Sequence, residues 1–189
     1  MAILKIARMG HPVLGRRADP VPDPASPEIK RLVADMIETM EDAQGAGLAA
    51  PQVHVSLRVV VFQAPTGRAE GKLSEAERFD HTAPLTVLIN PAIEIIDPKA
   101  DGGWEGCLSV PGLRGWVERP SHIRYAGYGT DGKRIVRVAK GFHARVVQHE
   151  CDHLEGMLYP QRMGDLKKLM FESEIQHWLE PEEDGETDG

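Results

Sequence analysis

Cysteine is scarce in this chain. Its 189 residues include two, Cys107 and Cys151, so at most one disulfide can form, and a reducing compartment argues against even that. Basic charge is also short: 22 Lys and Arg face 29 Asp and Glu, for a net charge of −7. No broad basic surface offers itself to nucleic acid, and no DNA partner is expected. Long apolar runs are missing. None approaches the roughly 20 residues that span a bilayer, so no membrane segment is expected. The opening Met1-Ala2-Ile3-Leu4-Lys5-Ile6 is not followed by a signal-peptide core or a cleavage site, which makes cytoplasmic residence the expectation. No internal repeat is evident. What is present, 41% hydrophobic and 27% charged residues, suffices for one compact domain with a core.

Residues 15–27 carry four prolines and read as a surface loop. Ser26-Pro27-Glu28 then opens a helix, with Ser as N-cap and Pro at the first helical position. Ile29, Leu32, Val33, Met36, Ile37 and Met40 recur at helical spacing and predict one buried face, with Gly45 ending the region. Arg58–Phe62, Leu85–Ile89 and Ile93–Ile96 read as strands. The polar stretch between the first two, Ala64–Pro84, reads as a long exposed loop. His122–Tyr128 and Lys133–Val138 flank Thr130-Asp131-Gly132, a hairpin signal. Phe142–Leu154 reads as a helix, and Asp165–Leu179, with Leu166, Leu169, Met170 and Ile175, as a last one.

 

Strands and helices are segregated along the chain rather than strictly alternating. The expected class is therefore α+β, with mixed or antiparallel sheets packed around a central helix and further helices at the N- and C-terminal ends. Residues 1–179 are expected to form a single catalytic domain, and the acidic residues 180–189 a disordered tail.

The most informative stretch is His149-Glu150-Cys151-Asp152-His153, which reads H-E-x-x-H. On a helix, residues four apart lie one turn above each other on the same face, so His149 and His153 can present two imidazoles to one cation. Glu150 projects about 100° round from His149. That puts a carboxylate beside the ion without making it a ligand, where a general base for water has to sit. A catalytic metal site wants three protein ligands and an open position. Of the remaining histidines, His11, His54, His81, His122, His143 and His177 are scattered singly, and His143 lies about 240° round the helix from His149. Cys107 is the stronger candidate. It sits in Glu105-Gly106-Cys107-Leu108-Ser109, where Gly106 permits close backbone approach, and a thiolate suits divalent iron or zinc. Cys151, about 200° round from His149, reads as an inert buried thiol.

Gly45-Ala46-Gly47-Leu48-Ala49-Ala50-Pro51-Gln52 contains G-x-G-x-x-A, but a dinucleotide site needs a strand before it and a helix after it. Here a helix precedes and Pro51 blocks another. A turn or irregular strand is expected instead, a backbone ledge beside a ligand with Gln52 as a hydrogen-bond donor. Val146, three residues before His149, is expected to line an apolar pocket, with Leu48 and Phe142 as further candidates. Gln148, Glu105, Arg114, Arg119 and Asp152 are candidates to support the ligands, Glu105 and Asp152 foremost.

Taken together, Gly45–Gln52, Glu105–Ser109 and Gln148–Leu154 resemble, in order and spacing, the three motifs of the peptide deformylase family: G-x-G-L-A-A-P-Q, E-G-C-L-S and Q-H-E-x-D-H-L. The resemblance covers nearly the whole chain. It departs at Val117-Glu118-Arg119, where members often have V-P-R, and is weakest in residues 64–84 and the acidic tail. It implies hydrolytic removal of the N-formyl group from the formyl-methionine of newly made polypeptides, with transient ribosome proximity following from that substrate. It further implies Cys107, His149 and His153 as ligands of one divalent ion, Fe2+ by preference and Zn2+ as the alternative. Glu150 would be the catalytic acid and base, Gln52 and the Leu108 N–H would stabilise the oxyanion, and Gly47 would lie near the bound peptide. Two rivals remain at this point: a zinc endopeptidase taking Glu155 or His177 as third ligand, and a non-catalytic binding module stapled by metal.

Overall fold

A computed structural model describes residues 2–65 and 75–178. The expected tail at 180–189, and residues 66–74 of the expected loop, lie outside the described residues. The elements are α1 (Pro27–Asp42), β1 (Gly47–Ala49), β2 (Val59–Ala64), α2 (Glu75–His81), β3 (Ala83–Cys107), β4 (Val110–Tyr128), β5 (Arg134–Lys140), α3 (Gly141–Leu154) and β6 (Leu169–Phe171), with short 3-10 turns between them. The six strands form one sheet in the order β1-β2-β3-β4-β5, with β6 pairing β4, and every paired strand is antiparallel. The α+β class and the α3 helix at its centre are as expected from the sequence.

α1 starts where the sequence predicts. Ser26 Oγ accepts the Ile29 N–H at 3.3 Å and Pro27 takes the first turn. Ile29, Val33, Met36 and Met40 are its buried stripe. β2 explains its own unbroken apolar run, because it is buried on both faces. Val59 and Val61 join the α1 cluster with Leu48 and Ile89, while Val60 and Phe62 join the α3 cluster with Ala144, Val147 and Leu154. α1 and α3 thus sandwich this part of the sheet, and α3 is pressed against the strands that line the cleft. A third cluster, Val110, Val117, Leu158 and Tyr159, packs beneath the β3–β4 turn and against Cys107.

Three expectations are corrected. The segment 64–84 is not loop throughout, since Glu75–His81 is helical. Leu85–Ile89 and Ile93–Ile96 are not separate strands but parts of one long, kinked β3, whose register against β4 shifts between Ile89 and Ala92 and again on either side of Asp97. Bulges let the strand pass Pro91 and Pro98 without breaking. The final helix is absent from the described part of 165–179. Leu166–Lys168 and Glu172–His177 are 3-10 turns on either side of β6. The edge of β4 at Leu113–Gly115 offers backbone pairing to Leu169–Phe171, and that pairing wins over the helical spacing of the apolar residues.

Candidate active site

α3 begins at Gly141, whose φ of +53° is a left-handed conformation suited to glycine, and ends just before Gly156 at +73°. Between them His149 and His153 stack up one face, their ring centroids 5.1 Å apart. β3 delivers Cys107 to the same point, at the tight turn where Cys107 pairs with Val110 and Leu108-Ser109 reverse the chain. One ligand atom each from Cys107, His149 and His153 lie within 4.8 Å of one another, and Cys107 Sγ is 3.4 Å from His153 Nε2. Among the described residues this is the one such group.

Glu105 sets the chemistry of His149. His149 Nδ1 lies 2.8 Å from Glu105 Oε2. A carboxylate only accepts, so Nδ1 carries the proton and Nε2 keeps its lone pair for a cation. Glu105 is held in turn: Arg119 donates through Nε at 2.6 Å and Nη2 at 2.9 Å, and Arg145 through Nη1 at 2.8 Å. Burial alone would raise the Glu105 carboxyl, but the bonds from Arg119 and His149 outweigh it and hold the group well below the usual carboxylate range. Asp152 does not touch a ligand. It receives Arg119 Nη1 at 2.8 Å and Arg162 Nη2 at 2.6 Å, so it acts through Arg119. The deviation at Val117-Glu118-Arg119 leaves this network complete, with Arg119 buried in it.

Glu150 is buried at the cleft wall, and its Oε2 has no hydrogen-bond partner among the described residues. Burial pushes its carboxyl up to about 7, against the pull of His149. An acid poised there can both take and return a proton near neutral pH. Gly47 of β1 faces it, and a Cβ on Gly47 would overlap the Glu150 carboxylate. Gln52 is locked by two bonds. Its Oε1 accepts the Ala49 N–H at 2.8 Å, and Nε2 donates to Ser109 Oγ at 3.1 Å while lying 3.5 Å from Cys107 Sγ.

The cleft has a volume of about 490 Å³, and Gly47, Gln52, Cys107, Leu108, Phe142, Val146, His149 and Glu150 all line it. Leu48 does not. It is fully buried in the α1 cluster, because neighbours on a strand point to opposite faces and Gly47 takes the cleft side. Of the other sequence candidates, Gln148 ties α3 to the Pro120 carbonyl at 2.8 Å, and Arg114 reaches Glu172 rather than a ligand. His143 is fully buried elsewhere, between Tyr125 and the Asp80 carbonyl. Arg145, Arg162, Ser109 and Tyr159, the last stacked on the His149 ring at 6.3 Å, were not singled out from sequence. Arg145 carried a signal: it precedes His149 by four residues and so shares its face.

The donor set fits a divalent ion. A thiolate and two imidazoles suit iron or zinc, and three ligands leave a position open, unlike a closed structural site. The endopeptidase rival loses its third ligand: Glu155 pairs with Arg58 at 2.7 Å and Arg17 at 3.1 Å, and His177 is exposed beside Glu174.

Comparison with known proteins agrees. The family model described as polypeptide deformylase matches residues 3–169. Peptide deformylase 1 of Bordetella pertussis is 49% identical over 181 residues, 95% of this chain and 98% of its own length. Peptide deformylase 2 of Pseudomonas syringae pv. tomato is 49% identical over 89% of this chain and 92% of its own. Among solved structures, the Ehrlichia chaffeensis peptide deformylase in complex with actinonin superposes with a TM-score of 0.79 at 33% identity, covering 89% of this chain and 92% of that one. The Thermotoga maritima enzyme gives 0.74 at 36% identity, covering 86% and 99%. This chain belongs to the polypeptide deformylase family.

Proposed function

We propose that this protein hydrolyses the N-formyl group from the N-terminal formyl-methionine of new polypeptides and releases formate. The observation that carries this is the convergence of Cys107, His149 and His153 on one point at the wall of a cleft that Cys107, His149 and Glu150 line. These three residues would hold the family's divalent ion, which supplies Lewis acidity at the formyl oxygen and acidifies water. Ferrous iron is our reading, because a thiolate with two imidazoles accommodates it.

The residues divide the work. Glu150 takes the proton from water as its oxygen bonds to the formyl carbon. Charge then builds on the formyl oxygen, and in this reading the Gln52 amide and the Leu108 N–H donate to it. Ala49 and Ser109 hold both ends of the Gln52 amide, and its second N–H, directed at Cys107 Sγ at 3.5 Å, is the one that would turn to the oxyanion. One such donor is worth about 2.7–4 kcal/mol in the barrier. As the carbon–nitrogen bond breaks, Glu150 returns its proton to the departing amine. Gly47 leaves room for the peptide backbone beside that carboxyl, and Val146 and Phe142 form the apolar wall for the methionine side chain.

Among the described residues no helix is long and apolar enough to cross a membrane. Action in the cytoplasm, close to the ribosome as chains emerge, follows from the proposed substrate. Glu150→Gln tests the assignment: the variant should bind metal as the parent does while formate release falls by about 100- to 10,000-fold. Activity near that of the parent would refute the role of Glu150.

A further inference from the structure

The cleft is lined by five charged side chains: Glu105, Arg114, Arg145, Glu150 and Glu172. Three are accounted for. Glu105 is saturated by Arg119, Arg145 and His149. Arg145 also donates to the carbonyls of Val117 and Asp101, at 2.8 and 2.7 Å. Glu150 faces the reacting atoms. Arg114 and Glu172 differ, since their bonds run to each other. Arg114 Nε donates to Glu172 Oε1 at 3.0 Å, and Nη2 donates to that same oxygen. Both side chains are partly exposed, at 37% and 55%.

Both side chains are carried to the cleft by the backbone around them. Arg114 crosses over Gly106, where any Cβ would overlap the guanidinium, so it lies along the backbone that carries Cys107. Glu172 immediately follows β6, and the pairing of Leu113 with Phe171 and of Arg114 with Met170 brings it to the cleft. The C-terminal segment therefore closes one wall of the site through three residues of strand and one ion pair.

We propose that Arg114 and Glu172 form a charge-selective subsite for a side chain downstream of the formylated methionine. The inference rests on the deformylase reading. An exposed ion pair holds only weakly, so a charged substrate side chain can compete for either member. An acidic side chain takes Arg114 and a basic one takes Glu172. With both present the two preferences oppose each other, and removing one exposes the other.

The test compares kcat/KM for formate release from formyl-methionyl tripeptides with Glu or Lys at the second or third position, with formyl-Met-Ala-Ser as reference. Glu172→Gln should raise the Glu-to-Lys ratio about two- to five-fold, and Arg114→Gln should lower it by a similar factor, the range of an exposed charge pair. The exchange Arg114→Glu with Glu172→Arg should bring the ratio back towards the parent value. A ratio read within one variant is insensitive to a general loss of activity, which would change both peptides alike. Ratios that stay fixed at both positions, or that move the same way in both single variants, overturn the subsite and leave the deformylase reading standing. If the parent protein releases no formate from the reference peptide, that reading fails and the subsite falls with it.

Discussion

Glu105 Oε2 and His149 Nδ1 stand 2.8 Å apart although 44 residues separate them in sequence. This contact fixes the imidazole tautomer and joins the metal-binding face of α3 to a buried chain of charges running through Arg119 to Asp152 and Arg162. Partners of this kind orient a ligand and raise its basicity.

Glu105→Gln should therefore weaken metal binding by about 10- to 100-fold. A glutamine has one acceptor oxygen and must turn its NH2 towards either Arg119 or His149, so at least one donor loses its acceptor. Competition with a chelator measures the effect. Unchanged affinity would show that the contact does not tune the ligand.

Gly47→Ala should abolish most activity without removing the ion. The added Cβ meets the Glu150 carboxylate, so the base must move. Misplacement of a catalytic group by about 1 Å costs on the order of 100-fold in rate. Steady-state kinetics alongside metal analysis separates a displaced base from a lost metal. A variant with ordinary turnover would place the working base elsewhere.

Val146→Asp should raise KM for formyl-methionyl substrates by roughly 10-fold or more, because it sets a carboxylate where the methionine side chain sheds water. Val146 lines the cleft one turn before His149. An unaltered KM would move the pocket to another part of the wall.

His143 makes stability depend on pH. Its Nδ1–H donates to the Asp80 carbonyl at 2.8 Å, leaving Nε2 to accept the Tyr125 hydroxyl at 3.2 Å. Burial lowers its pKa to about 4. As pH falls below the unfolded value near 6.5, the unfolded chain gains a proton that the folded one refuses, so stability drops until pH reaches about 4 and then levels off for this group. The loss is on the order of 3 kcal/mol. Denaturant melts of the parent and His143→Gln across this window should differ in slope, the variant being the flatter. Parallel curves would argue against a neutral buried His143.

The centre of the site was legible because its chemistry is local in sequence. Two histidines four apart on a helix share a face wherever that helix packs, and the glycine before Cys107 announced a close approach. The network behind the ligands was less visible. Arg145 and Arg162 look like ordinary surface charges, and Arg119 stands out no more than Arg114, until β3 and β4 fold over α3 and bring Arg119, buried, and Arg145, partly buried, into contact with Glu105. Leu48 was misplaced because the strand is too short for its alternation to be seen. The C-terminal segment was misread for a different reason. Leu166, Leu169 and Met170 keep helical spacing, but spacing carries no information about an open strand edge elsewhere, and β4 supplies one. In the same way β3 was read as two strands, since prolines that break a central strand can be carried by bulges.

The central claim, that Cys107, His149 and His153 hold one ion that the reaction requires, is tested most directly by metal analysis of anaerobically purified protein coupled to formate release from formyl-Met-Ala-Ser, for the parent and for Cys107→Ala. The account predicts one divalent ion per chain with formate produced by the parent, and both lost in the variant. Full metal content and turnover without the thiolate would contradict it.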